Sequence, residues 1–367
     1  MQRHEHSPGP SLLENSSSMN DSSPLRVTAV DVGSNSIRLL VADVSAGDSS
    51  EVVSTVARAG EPCRLGRGLE RTGTIETPLA ERAAQLAREF VRRGRALGAR
   101  KFVIGGTAAL RSAHNGPEVA ARIAEQTGVD VRILSGEEEA RLVYEAVVLG
   151  LGGPARRSSC VVFDLGGGST EVVSGLGERA GRWASLPFGA VSLTERFLHV
   201  SPAIDSEVEA LERHVMAEVE ARCADMPDSA PVLAGVGGTV TAFAVIDQGL
   251  EAYEPERVEG CLIDSSRVEA VVERLKRSTE ADRKRIGALG KGRADIVVAG
   301  SLAVRVLARR FRNRSLLCST QGLRYGLARL AFREDRAVNP PISVDPPPAK
   351  SDTPSGAALD PPSPNDH

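Results

Sequence analysis

The chain has 367 residues, 41% of them hydrophobic, and a formal net charge of −3 at neutral pH. This length and composition are typical of a compact protein with two domains and ordinary cores. The slightly negative charge argues against a protein that coats nucleic acid, so we expect no nucleic-acid partner. The sequence has no run of about 18 apolar residues, and we therefore expect no membrane partner.

The two ends of the chain differ in composition from the rest. Residues 1–25 and the proline-rich residues 336–367 carry few apolar side chains. Neither segment can bury enough surface to offset its chain entropy, so we expect both to be disordered. The amino terminus lacks a basic start followed by an apolar run, and the five cysteines have no CxxC spacing. These features predict a cytoplasmic protein with reduced thiols.

Between these ends, strand and helix patterns alternate, which predicts layered α/β structure. The first half contains predicted strands over 27–31, 37–43, 102–105 and 129–134 and predicted helices over 78–97, 117–127 and 137–148. The glycine-rich segment 150–154 ends the last of these helices. We place a boundary there, between a first domain of residues 26–152 and a second domain of residues 153–335.

The second half repeats the opening order of strand, glycine turn and strand. Its predicted elements are strands over 160–164, 170–174 and 232–236, a helix over 205–224 and further helices to about residue 332. The repetition predicts two α/β units of similar plan, with a last helix that can pack back on the first domain.

One short phrase occurs twice, each time at the end of an apolar strand: Val30–Ser36 (VDVGSNS) and Phe163–Ser169 (FDLGGGS). In each copy the strand ends on an aspartate, Asp31 or Asp164, and then turns on glycine. Such a turn brings a carboxylate and free backbone N–H groups to one point, which suits phosphate and its accompanying metal. The duplication predicts two domains that close on one phosphate-bearing ligand.

These turns supply the candidate ligand-binding residues. The candidate phosphate donors are Gly33, Ser34, Asn35, Ser36, Arg38, Gly166, Gly167, Gly168, Ser169 and Thr170, with Gly237, Gly238 and Thr239 of a third glycine turn. The candidate metal ligands are the carboxylates Asp31, Asp164 and Glu171, since oxygen ligands suit Mg²⁺ and Mn²⁺. In the alternative interpretation, the aspartates only cap turns through side-chain hydrogen bonds.

The segment Ser135–Leu142 (SGEEEARL) contains the candidate catalytic base. Ser135 and Glu138 have the spacing of a capping box, which explains Glu138 structurally. At 100° per residue, the apolar stripe of the following helix is centred within about 10° of Glu139. Glu139 therefore points inward, and a carboxylate against an apolar face has a raised pKa that suits a general base. A glutamate that merely stabilises the helix amino terminus is the alternative.

Arg111 is a second candidate catalytic residue, because it follows the predicted strand over 102–105 closely enough to reach the pocket. A surface arginine is the alternative. Cys261 and Arg267 have the CxxxxxR spacing of cysteine phosphatases, but the segment between them lacks glycine and contains Asp264. We therefore reject a thiolate mechanism.

Together the motifs resemble the exopolyphosphatase and guanosine pentaphosphate phosphohydrolase (Ppx/GppA) family of the actin-like superfold. The resemblance is carried by residues 30–44, 64–73, 106–115, 135–147, 163–175, 185–197, 235–242, 292–304 and 319–328. It implies two actin-like (ribonuclease H-like) α/β domains, whose duplicated strand-turn-strand phosphate units face an interdomain cleft. The chain resembles the short two-domain form, for which the resemblance suggests a homodimer.

The resemblance also implies roles for single residues. Glu139 matches the glutamate that activates the hydrolytic water, and Asp164 and Glu171 match residues associated with the divalent metal. Arg111 matches the arginine after the family's Thr-x-Ala turn. The family histidine is absent at residues 258–260, so its role is not transferred.

We therefore expect an exopolyphosphatase that hydrolyses the terminal phosphate of inorganic polyphosphate with Mg²⁺ or Mn²⁺. The alternatives are a guanosine pentaphosphate (pppGpp) 5′-phosphohydrolase, a sugar or acetate kinase, and a non-catalytic polyphosphate or nucleotide sensor. Only 3% of residues are aromatic, which favours polyphosphate over a stacked base. A candidate basic track for the polyanion consists of Arg305, Arg309, Arg310, Arg312 and Arg314. A helix with one solvated face explains these arginines equally well.

Overall fold

The computed structural model describes residues 23–47, 50–289 and 292–339. The disorder predicted for residues 1–25 and 336–367 lies almost entirely outside these ranges. The last helix runs to Val338, so regular structure continues past residue 335, where the sequence suggested that the second domain ends.

Two mixed sheets form the centre of the protein. Sheet 1 consists of β1 (Leu25–Val32), β2 (Ser36–Ala46), β3 (Glu51–Pro62), β4 (Lys101–Gly106) and β5 (Val131–Ile133). Sheet 2 consists of β6 (Ser159–Leu165), β7 (Thr170–Leu176), β8 (Arg179–Leu186), β9 (Val232–Val236), β10 (Leu262–Asp264) and β11 (Ser315–Cys318).

The two sheets share one plan. Their strand orders are β3-β2-β1-β4-β5 and β10-β11-β9-β6-β7-β8. In each, the first three strands pair antiparallel, and the next strand along the chain pairs parallel to the first. The duplicated strand-turn-strand unit predicted from the sequence is therefore present in both sheets.

Fourteen helices surround these sheets in the described part of the chain. Those of the first half are α1 (Leu69–Thr72), α2 (Thr77–Ala96), α3 (Ala108–Ser112), α4 (Gly116–Thr127), α5 (Gly136–Leu151) and α6 (Gly153–Arg157). Those of the second half are α7 (Ala190–Phe197), α8 (Asp205–Arg222), α9 (Gly238–Asp247), α10 (Pro255–Val258), α11 (Ser265–Arg277), α12 (Glu280–Lys284), α13 (Val297–Arg310) and α14 (Leu323–Val338).

The helices make three apolar layers with the sheets. Helices α2, α3 and α4 cover one face of sheet 1, and α7, α8, α9, α11 and α13 cover one face of sheet 2. Helices α5 and α14 share a third core with side chains from both sheets. Among the described residues, no helix combines the length and hydrophobicity that a membrane span requires.

The contact between α5 and α14 depends on a glycine. A Cβ atom added at Gly326 of α14 would lie 2.5 Å from the carbonyl oxygen of Leu142 in α5. Only a residue without a side chain allows the two backbones to approach this closely. The Arg324 guanidinium also donates to Leu39 O of β2 at 2.9 Å. The last helix is thereby fixed to sheet 1 and to α5.

Candidate active site

The β1–β2 and β6–β7 turns have the same internal hydrogen bond. Gly33 N–H donates to Ser36 O at 3.2 Å, and Gly166 N–H donates to Ser169 O at 3.1 Å. Within the described residues, the next two N–H groups of each turn have no protein acceptor: Ser34, Asn35, Gly167 and Gly168. Each turn therefore presents free donors of the kind that bind phosphate oxygens.

The two turns face each other in contact. A Cβ atom added at Gly167 would lie 3.1 Å from Asn35 N, and one added at Gly168 would lie 2.8 Å from Ser34 Oγ. Glycine is thus required on one side of the contact because a side chain would push the turns apart. The predicted meeting of the two aspartate-glycine turns is present in the structure.

Between the turns lies a pocket of about 70 Å³. A cavity of roughly 10–15 Å³ holds a single water, so this larger pocket has room for one phosphoryl group and a water. The predicted residues that line it are Asp31, Gly33, Ser34, Asn35, Ser36, Arg38, Glu139, Asp164, Gly166, Gly167, Gly168, Ser169, Glu171, Gly238 and Thr239.

Three candidate residues do not line this pocket. The Thr170 hydroxyl is fully buried and donates to Phe188 O at 2.8 Å. Because its proton is already used, we no longer count Thr170 among the phosphate donors. Gly237 lines a neighbouring cavity instead, and Arg111 contacts two of the pocket carboxylates.

Helix α5 brings Glu139 to the pocket. The predicted capping box is present, since Glu138 N–H donates to Ser135 Oγ and Glu138 accepts from Ser135 N–H. Glu137 is exposed, whereas Glu139 is 6% exposed. The helix start therefore directs only the third of three consecutive glutamates inward, as the apolar stripe predicts.

Arg111, from α3, connects two carboxylates. Its guanidinium donates to Glu139 Oε2 at 2.8 Å and to Leu134 O at 2.9 Å, and it lies 3.7 Å from Glu171 Oε1. Ser185 Oγ donates to the same Glu171 oxygen at 3.0 Å. Arg111 therefore fixes the orientation of Glu139 and partly neutralises both acids.

Burial raises the pKa of all four pocket carboxylates. The pKa of Asp164 rises to about 7 through burial and the nearby charge of Glu171. Burial and Glu171 also hold the pKa of Glu139 well above its usual value, although Arg111 opposes this rise. The pKa values of Glu171 and Asp31 are raised mainly by burial. Arg111 alone therefore supplies too little positive charge to offset these carboxylates.

A divalent cation would supply that charge. Among the described residues, no three carboxylate, imidazole or thiol groups converge to enclose an ion by themselves. Mg²⁺ commonly takes one or two protein carboxylates and completes its shell with water and substrate phosphate. Crowded, buried carboxylates beside a phosphate-sized pocket fit a cation of this kind.

Sequence reasoning missed Arg293, which lines the pocket from the segment before α13. Burial and the nearby Arg38 lower its pKa to about 10. It also missed Ser185, the partner of Glu171. The motif 292–304 contains Arg293, but neither residue belongs to a local pattern that indicates chemistry.

The predicted basic track is wrong. Four of its five arginines form ion pairs within the second half of the chain: Arg305 with Glu212, Glu269 and Glu273, Arg309 with Glu269, and Arg310 and Arg312 with Asp228. Their charge is compensated by carboxylates on neighbouring elements, so these arginines stabilise helix packing and do not form a free cationic surface.

Comparison with known proteins assigns the family. The model of the Ppx/GppA phosphatase family matches residues 40–330. The chain belongs to the Ppx/GppA phosphatase family. The Ppx/GppA resemblance predicted from the motifs is therefore confirmed.

Individual Ppx/GppA relatives agree with this assignment. The chain is 32% identical over 296 residues to exopolyphosphatase 2 of Mycobacterium tuberculosis, an alignment that covers 79% of this chain and 92% of that protein. The crystal structure of the Aquifex aeolicus Ppx/GppA family member has 26% identity and a TM-score of 0.71, with 85% of this chain and 99% of that chain covered. An exopolyphosphatase-like protein has 27% identity, a TM-score of 0.79 and the same coverage. The predicted class of two actin-like domains is also confirmed.

Proposed function

We propose that the protein is an exopolyphosphatase, which hydrolyses the terminal phosphoanhydride bond of inorganic polyphosphate and releases orthophosphate. The observation that carries the proposal is the position of Glu139, a buried carboxylate in a pocket where two glycine turns present free N–H donors. The name of the 32% identical relative, exopolyphosphatase 2, supports the same reaction.

In the proposed reaction, Glu139 accepts a proton from water while the water oxygen attacks the terminal phosphorus. The bond from that phosphorus to the bridging oxygen breaks, and the electron pair leaves with a chain that is one phosphate shorter. Glu139 must be ionised to act as the base. Arg111 supports this role because its charge opposes the rise in the Glu139 pKa.

The turns stabilise the transferred group. The free N–H groups at Ser34, Asn35, Gly167 and Gly168 lie where negative charge spreads over the phosphoryl oxygens, and fixed donors need no reorganisation during the reaction. We propose that one or two of the carboxylates Asp31, Asp164 and Glu171 would hold a Mg²⁺ or Mn²⁺ ion, with water and substrate phosphate completing its shell. When bound, this ion neutralises charge on the phosphates.

The test compares phosphate release from long-chain polyphosphate and from guanosine pentaphosphate at equal Mg²⁺. We expect release from polyphosphate, and a decrease in kcat of about 10²–10⁴-fold in Glu139→Gln. The matched control is Glu137→Gln, two residues earlier on the same helix and exposed, which should keep wild-type kcat.

Three other outcomes would each indicate a different function. Faster release from the nucleotide would make the protein a guanosine pentaphosphate phosphohydrolase. Transfer of label from ATP to a small acceptor would indicate a kinase. Tight polyphosphate binding without turnover, identical in the wild type and in Glu139→Gln, would indicate a sensor.

A further inference from the structure

A second cavity of about 500 Å³ adjoins the active-site pocket, and we call it the distal chamber. Asp31, Arg38 and Arg293 line both spaces. A substrate chain whose end lies in the pocket can therefore continue into the chamber past these shared residues.

Four arginines line the distal chamber, and they come from separate parts of the chain: Arg38 on β2, Arg58 on β3, Arg293 before α13 and Arg324 on α14. Within the described residues, none of the four forms an ion pair. Two buried arginines elsewhere are ion-paired, Arg305 with Glu212 and Arg329 with Glu51, whereas buried Arg283 donates to the neutral acceptors Ala294 O and Ser278 O. The chamber thus brings together four arginines that have no ion-pair partner among the described residues.

Neutral acceptors hold all four of these side chains in place, and Arg38 donates to Ser36 Oγ at 3.2 Å. Arg324 donates to Leu39 O, Arg293 donates to Gly238 O at 3.4 Å, and Arg58 donates to Thr55 Oγ1 at 3.3 Å. Arg58 Nε is buried and has no hydrogen-bond partner. A buried donor on a charged group is costly to leave unpaired, so a bound anion that accepts from it would be favoured.

The composition of the lining identifies the class of anion. Among the described residues that line it, Asp31 and Glu61 are the only carboxylates, against four arginines, and Tyr253 is the only aromatic residue. Several guanidinium groups suit several phosphates, since each can donate two parallel hydrogen bonds. A single aromatic side chain on the lining cannot enclose a nucleobase between two rings. The chamber therefore fits a linear polyanion better than a nucleoside.

We propose that the distal chamber binds the phosphates that follow the terminal one in a linear inorganic polyphosphate, and that Arg58 sets a preference for longer chains. The proposal rests on the proposed exopolyphosphatase function. Arg38 and Arg293 line the pocket as well as the chamber, so a short chain reaches them. Arg58 and Arg324 line only the chamber, so only a longer chain reaches them.

The experiment measures kcat/KM for tripolyphosphate and for long-chain polyphosphate, together with equilibrium binding of both by calorimetry. We expect Arg58→Gln to lower kcat/KM and affinity for the long chain about tenfold or more, the effect of one lost charge-assisted hydrogen bond. Values for tripolyphosphate should change less than about twofold. Arg58→Lys, which keeps the charge, should recover part of the loss.

The control variant is Arg88→Gln, an exposed arginine of α2 outside the chamber, which should behave as wild type with both substrates. Equal losses with both chain lengths, or no loss with either, would overturn the proposal. So would a larger loss with guanosine pentaphosphate than with the long chain, because the chamber would then be a nucleotide site.

The binding measurements distinguish failure of the chamber assignment from failure of the hydrolase assignment. If the wild type binds long-chain polyphosphate in an Arg58-dependent way but does not hydrolyse it, the chamber assignment holds and the hydrolase assignment fails. If the wild type does not bind polyphosphate, the chamber assignment fails. Unchanged thermal unfolding of Arg58→Gln excludes loss through misfolding.

Discussion

The β1–β2 hairpin and the β6–β7 hairpin differ in the charge of the residue that is paired with the aspartate. In the first, Asp31 is paired with Arg38, whereas in the second Asp164 is paired with Glu171. Both turns otherwise have the same internal hydrogen bond and the same free N–H groups. The backbone plan therefore provides the same phosphate-binding turn twice, and the residue opposite the aspartate decides the local charge.

This difference gives the site two sides. Glu171 lies beside Glu139 and Arg111 on an acidic side, where the proposed base and cation act. Arg38 lies beside Arg293 and the distal chamber on a basic side, where the proposed polyphosphate chain binds. A duplicated unit can thus carry two different charges, with a carboxylate beside the proposed base on one hairpin and a guanidinium beside the distal chamber on the other.

The largest effect is expected from Glu171→Gln on the acidic side. The amide keeps the shape of the side chain but removes a charge that we assign to the cation site and place beside Glu139. We expect kcat to fall about a hundredfold or more, with little change in KM. Steady-state kinetics with long-chain polyphosphate measure both values. A change confined to KM would contradict the division between the hairpins.

Arg38→Gln tests the matching position on the basic side. It removes a guanidinium that we propose binds substrate in the ground state as well as in the transition state, so we expect KM to rise about tenfold. The same assay should give a kcat within about threefold of wild type. If instead kcat falls as far as in Glu171→Gln, both hairpins serve chemistry and the comparison fails.

The pH dependence of Arg111→Gln tests whether Arg111 tunes the pKa of Glu139. Arg111 lowers the pKa of Glu139, so its loss leaves Glu139 protonated up to a higher pH. We expect the acidic limb of the kcat/KM profile to move to higher pH, with activity partly recovered as the pH rises. Arg111→Lys should move the limb less. An unmoved limb would mean that Arg111 does not tune the base.

The smallest effects are expected where the hairpins are alike. A Cβ atom added at Gly33 would lie 3.1 Å from Ser36 O, and one at Gly166 would lie 3.1 Å from Ser169 O. We expect each Gly→Ala variant to lower the free energy of unfolding by about 1 kcal/mol, because the hydrogen-bonded carbonyl resists displacement.

Denaturant unfolding measures this cost. Gly153→Ala is the control, since an added Cβ there meets no atom within 4 Å. Clearly unequal costs at Gly33 and Gly166 would show that the two turns are not equivalent.

Local sequence patterns predicted the centre of the site well. The capping box at Ser135 and the helical period fixed the direction of Glu139, because both depend on residues only a few positions apart. The duplicated phrase predicted two matching turns for the same reason. Strands β3 and β8 were missed because most of their side chains are half-buried or exposed, and their sequences show no clear alternation.

Features that depend on distant residues could not be predicted in this way. Arg58, Arg293 and Arg324 share one chamber only because β3, the segment before α13 and α14 meet there. Arg305 looked free in the sequence, yet its carboxylate partners lie on α8 and α11. Whether an arginine is compensated is decided by tertiary pairing, which a local pattern does not contain.

The position of α14 has a consequence for synthesis of the chain. Apolar side chains of β1 and β2, made early on the ribosome, share a core with α14, which is made much later. Until residues 323–338 emerge, the first sheet lacks the cover that α14 provides, and the nascent chain exposes part of this apolar surface. Such exposed surface makes a nascent chain prone to aggregation.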